Sequence, residues 1–170
     1  MPLNIEPQAL LDGLLYADAV PLTSTEAALF GGSGAQGLSM IPVTYGQAIL
    51  VIGTLSLNGI ATGNSTFVVL QTDLGDGTWV DVAWFFWDKA QGSATFVLCG
   101  GGVGSVNNAF QQSRSSGQVP QPQQSGSNAL PLGGRVRIVG KTVMTSGSSS
   151  APGVATVVTA SVRYKVLSLA

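Results

Sequence analysis

The sequence predicts an all-β fold: an antiparallel β-sandwich, jelly-roll-like, with an extended N-terminal arm and a long Gln/Ser/Gly-rich loop. Three observations predict it. Only 9% of the 170 residues are charged while 23 are glycine, and long helix-forming stretches rich in Glu, Lys and Ala are missing. Several segments alternate apolar and polar residues with period two. Turn clusters built on Asn-Gly and Asp-Gly separate them. The length suits one domain, or one domain plus an arm, and is enough for a core without disulfides.

Residues 1–46 read as the arm. In "EPQALLDGLLYA" the spacing of Leu10, Leu11, Leu14 and Leu15 fits one short amphipathic helix, weakened by Gly13. Beyond it Leu22, Leu29, Phe30, Leu38, Met40 and Ile41 are apolar without a period. They suit either an arm lying across a surface or an ordinary N-terminal strand and loop. The sandwich is expected over 47–170. "QAILVIGTLSL" is its first strong strand, with Gly53 as a bulge or a point of close approach. "STFVVLQT" and "TWVDVAWFFW" are joined by the hairpin turn "DLGDG", and "ATFVLC" follows. Residues 100–134 then carry almost no strand signal and read as a long loop excursion. "RVRIVGKTVM" and "VATVVTASVRYKV" close the chain as an expected pair, which would gather Arg135, Arg137, Arg163 and Lys165 on one sheet face.

Chemistry is bounded mainly by what is missing. With no histidine the commonest general base and metal ligand are lost. The lone Cys99 lies in an apolar run and reads as a buried structural thiol. "CGGGVGS" lacks the Lys-Ser/Thr ending and helix of a phosphate loop. Asp73, Asp76 and Asp81 do not follow the calcium-loop spacing, so the turn reads as one with solvated acids. No catalytic residues, cofactor or metal are therefore expected. The bases are too scattered among strands for nucleic-acid binding. The N-terminal stretch has no Lys or Arg, and no run is long enough to span a bilayer, so a soluble product made in a cytoplasm is expected.

Charge and aromatic placement carry the remaining signal. All eight acids fall in residues 1–88 and all seven bases in 89–170, giving halves of −8 and +7. Either the halves neutralise each other on folding, or an acidic face of one copy meets a basic face of the next. All three tryptophans lie between Trp79 and Trp87. Strict alternation puts Val80, Val82, Trp84 and Phe86 on one face, read as core, and Trp79, Asp81, Ala83, Phe85 and Trp87 on the other. An apolar second face calls for a cover: the arm, a sister subunit or another protein. A carbohydrate platform is the rival reading.

"FVVLQTDLGDGTWVDV" together with "GGRVRIVGKTVMTSG" and "ATVVTASVRYKV" resembles small β-sandwich proteins of tailed-phage virions, of the capsid decoration or cement type. The matching residues are Leu70, Gln71, Asp76, Gly77, Trp79 and Val80, then Arg135, Val136 and Arg137, over roughly 47–99 and 133–167. The "VAWFFWD" extension and the long excursion depart from that pattern. The resemblance implies a non-enzymatic virion protein, assembled in the host cytoplasm, that docks on the major capsid protein or other virion proteins. A homo-oligomer is expected, a trimer being favoured because it suits a capsid three-fold axis, and the residues themselves give no nucleic acid or membrane as partner. Trp79, Phe85, Trp87, Arg135, Arg137, Arg163 and Lys165 are the expected interface. An adhesive fibre module and a neck or tail connector are the alternatives.

Overall fold

The computed structural model describes residues 9–30, 40–44, 46–59, 64–87, 92–101, 123–127, 132–144 and 155–168. Their strands are β1 (Ala9–Leu22), β2 (Ala27–Ala28), β3 (Ile41–Pro42), β4 (Gln47–Gly59), β5 (Asn64–Asp73), β6 (Trp79–Trp87), β7 (Gly92–Gly100), β8 (Gln123–Ser127), β9 (Arg135–Met144) and β10 (Ala155–Ser168). No helix occurs among the described residues. One sheet, here sheet A, has the order β1-β10-β4-β7. The other, sheet B, has the order β2-β9-β5-β6-β8, with β3 also on β9.

The pairing is nested and antiparallel throughout. β1 pairs with β10, β2 and β3 with β9, β4 with β7, and β5 with β6. A chain folded once on itself at the β5–β6 turn, then rolled so that successive pairs fall in alternate sheets, gives this order. It is the winding of an eight-stranded jelly roll. β8 is the addition: it comes from the excursion between β7 and β9 and extends sheet B beside β6. The rest of that excursion, 102–122 and 128–131, lies outside the described residues.

The helix expected over residues 6–17 is instead a strand from Ala9 onward. Its leucine doublets fit both periods, and tertiary pairing decides between them. Gly13 lies opposite Tyr164 of β10, and a Cβ there would sit 2.4 Å from that ring. The tyrosine thus packs directly over the strand backbone. Leu15 points into the core while Leu14 points out. The segment read as an arm therefore supplies β1, β2 and β3, and it buries Leu22, Leu29, Phe30, Ile41 and Val43 in the common core.

β9 and β10 are not the expected pair. β9 adds to β5 in sheet B, and β10 inserts between β1 and β4 in sheet A. Each strand has a central position available in a different sheet, and the nested winding fills both. Arg135 and Arg137 consequently lie on one side of the sandwich and Arg163 and Lys165 on the other. Gly53 is a point of close approach: a Cβ there would meet Phe96 at 2.4 Å and Val162 at 2.8 Å.

β6 carries the most consequential irregularity. Leu70 pairs with Ala83 but Gln71 pairs with Asp81, so Val82 is an extra residue, a β-bulge. The bulge reverses the alternation. Val82 and Ala83 both face inward, followed by Phe85 and Trp87, so Trp84 and Phe86 turn outward. Phe85 is 3% exposed and stacks on Phe96 of sheet A at 5.7 Å, and Trp87 is 4% exposed. Both are core residues, not the interface residues expected of them. Burying each contributes about 1.5–3 kcal/mol.

Candidate interaction surfaces

The β5–β6 turn is built around one carboxylate. Asp73 ends β5, and its Oδ1 accepts hydrogen bonds from the amides of Gly75 (2.8 Å) and Gly77 (3.2 Å). Both glycines have positive φ, which this turn requires and other residues rarely adopt. Leu74 N–H donates to the Thr78 carbonyl at 3.0 Å, and Asp76 Oδ1 accepts from the Thr78 amide at 2.8 Å. Arg135 of β9 donates from Nε to Asp73 Oδ2 at 3.1 Å and pairs with the same oxygen through a second nitrogen. The Arg135 hydrogen bond, then the Gly75 amide, hold the Asp73 carboxyl below its ordinary range. The Thr78 amide does the same for Asp76. At the tip of this braced turn Leu74 is 61% exposed.

Beside the turn, the outer face of sheet B forms a connected polar lattice. Gln71 is buried and central. Its Nε2 donates to Asp81 (2.8 Å) and Glu26 (3.0 Å), and its Oε1 accepts from Arg137 Nε (2.9 Å). Lys141 donates to the other Glu26 oxygen at 2.9 Å. That bond is the main cause lowering the Glu26 pKa, with burial opposing it. The Arg137 guanidinium lies 4.1 Å from the Trp79 ring centre, and Arg135 lies 5.8 Å from it. The ion pairs Arg135–Asp73 and Lys141–Glu26 each join an acid from the first half of the chain to a base from the second. Next to the lattice stands an aromatic cluster. Phe67 packs on Phe86 (5.0 Å) and Trp84 (6.1 Å), all three half-buried.

Sheet A presents a different outer face. Leu14, Arg163, Ile52 and Val97 lie opposite one another across all four strands. Leu14 is 60%, Ile52 48% and Val97 39% exposed, so exposed apolar surface is concentrated in one register row with an arginine inside it. A groove of about 450 Å³ opens on this face, lined by Leu50, Ile52, Thr54, Ser161, Arg163 and Lys165. Cys99 also points outward, exposed at the end of β7, contrary to the buried thiol expected. The alternation that takes Ala94, Phe96 and Leu98 inward turns it out, and partial burial raises its pKa.

The expected interface is thus divided. Trp79, Arg135 and Arg137 form part of the sheet B lattice, Phe85 and Trp87 are core, and Arg163 and Lys165 line the sheet A groove. Leu14, Ile52, Leu74 and Val97 were missed. The signal for Ile52 lay in "AILVI", which is apolar on both faces of one strand; for Leu74 it lay in a large apolar residue inside an otherwise polar turn. Among the described residues no group of three or more His, Cys, Asp or Glu side chains gathers to hold a metal ion. No helix there is long and apolar enough to cross a membrane.

Strand order and nested pairing define the class: an all-β jelly-roll sandwich. Among solved structures the chain is similar to the infectious bursal disease virus VP2 subviral particle, with 11% sequence identity and a TM-score of 0.42 over 94% of this chain and 33% of that chain. The chain thus spans about a third of the length of that protein. No protein-family model and no curated protein matches it.

Proposed function

We propose that the chain is a non-enzymatic structural protein of a virion, of the decoration type, that docks on the head shell of a tailed phage and stabilises it. The observation that carries this reading is the row Leu14–Arg163–Ile52–Val97 on sheet A. A lone globular chain gains nothing by gathering its exposed aliphatic side chains in register on one sheet face, whereas an assembly subunit buries them. In this reading copies associate through sheet A. The half-buried Phe67–Trp84–Phe86 cluster on the opposite face supplies the aromatic contact to the major capsid protein. Many small contacts then add through multivalency, and closed symmetry such as a trimer suits a shell with three-fold axes. Assembly takes place in the host cytoplasm.

The test is to image the chain in its native particle and to titrate purified chain onto shells lacking it. Saturable binding that Trp84→Ala weakens supports the reading. Absence from the particle, with no binding to shells, overturns it. The same aromatic cluster favours one further reading, a carbohydrate-binding module of a fibre. There a soluble glycan quenches tryptophan fluorescence, and in the decoration reading it does not.

A further inference from the structure

The two unfinished surfaces of this molecule are complementary. The β5–β6 turn offers an apolar tip, Leu74, with the acid Asp76 two residues on. The sheet A groove offers an apolar wall, Leu50 and Ile52, with the cation Arg163 beside it. We propose that the Leu74 tip of one copy inserts into the sheet A groove of a second copy, with Asp76 facing Arg163, so that copies join head to tail.

Size, charge and rigidity all support this pairing. The open recess of about 450 Å³ has room for a leucine side chain. Asp76 on the turn and Arg163 in the groove have opposite charges, which favours one orientation of encounter. The turn is held before binding by Asp73, Arg135 and two positive-φ glycines, so little order remains to be imposed on association. The braced turn carries a large apolar side chain that is 61% exposed. Tip and groove are different surfaces, so the contact is heterologous: it closes into a ring when the rotation between copies divides a full turn, and otherwise grows into a filament. The idea deepens the assembly reading by naming what covers sheet A, and it can be tested without any particle.

Sedimentation of the purified full chain over a concentration series reads self-association directly. The expected result is a concentration-dependent oligomer whose dissociation constant rises about tenfold or more in Leu74→Ser, the loss expected from unburying one leucine. Asp76→Lys and Arg163→Glu should each weaken it, and a mixture of those two variants should recover it. In a Cys99→Ser background, Leu74→Cys and Ile52→Cys copies should cross-link to each other when mixed and oxidised. A chain that stays monomeric, or an oligomer indifferent to Leu74→Ser and Arg163→Glu, overturns the proposal. Monomeric chain that still saturates phage shells defeats this contact while leaving the decoration reading intact. Self-assembly by this contact without any affinity for shells does the reverse.

Discussion

Asp73 and Gln71 are adjacent outward residues of β5, and each organises several partners. Asp73 braces the turn and ties it to β9; Gln71 joins the strands of sheet B through Glu26, Asp81 and Arg137. Gln71→Ala removes its hydrogen bonds to Glu26, Asp81 and Arg137. It should destabilise the fold by about 1–3 kcal/mol, read by urea denaturation. A change within error would show that water replaces the amide. Acid acts through the carboxylates. Asp73 and Glu26 have folded pKa values below their ordinary 3.8 and 4.5, so the folded state binds protons less readily than the unfolded state. Their contribution is fully present above those ordinary values and is lost as pH falls through the lower folded values. Stability should therefore fall on acidification below about pH 4.5, and less steeply in Asp73→Asn. Equal acid slopes in the two proteins would exclude Asp73 as a source. At this scale the sequence showed which residues were available, while their partners, such as Arg137 over Trp79, needed the tertiary register.

At the scale of the element, β6 and β1 show where pattern reading succeeds and stops. Both strands of the central hairpin and their Asp-Gly turn were legible, because period two and positive-φ glycines are local signals. The faces of β6 were legible only up to Val82. One inserted residue exchanges core and surface for everything after it, and no local feature of "VDVAWFF" marks the insertion. Phe85→Ala and Trp87→Ala should each cost about 3–5 kcal/mol in chemical denaturation. Trp84→Ala, on the half-buried outer face, should cost less than half as much. Equal losses at positions 84 and 85 would place the bulge elsewhere. For β1 the discriminating variant is Gly13→Val. In a helix or a loose arm it is tolerated, but in a strand beneath the Tyr164 ring it overpacks by about 1–3 kcal/mol. A variant as stable as the wild type would argue against β1 lying under that ring.

For the whole molecule, the nested winding brings the most distant parts of the sequence together: Ala9 pairs with Leu167 and Leu11 with Val166. Each outer pair joins residues further apart in sequence than the pair inside it, with a larger loop-closure cost. Folding should be slow, on the order of milliseconds to seconds, as for other long-range β topologies. Stopped-flow tryptophan fluorescence checks this, and complete folding within microseconds would be inconsistent with the winding. The charge split between the halves of the chain also resolves at this scale. Nesting sets early strands against late ones, so Asp73 meets Arg135 and Glu26 meets Lys141 within one chain. Arg163 lies instead at the centre of the exposed row on sheet A.

The sequence by itself determined the all-β class, most strand positions, the hairpin turn and the imbalance of charge, because alternation, turn chemistry and composition act over a few residues. Only the tertiary structure decided that the N-terminal segment is a strand, that β9 and β10 lie in opposite sheets, and that a row of exposed aliphatic residues lies on sheet A. Those outcomes depend on which strands compete for the same edge and on a single-residue bulge, and both are settled by packing between residues far apart in the chain.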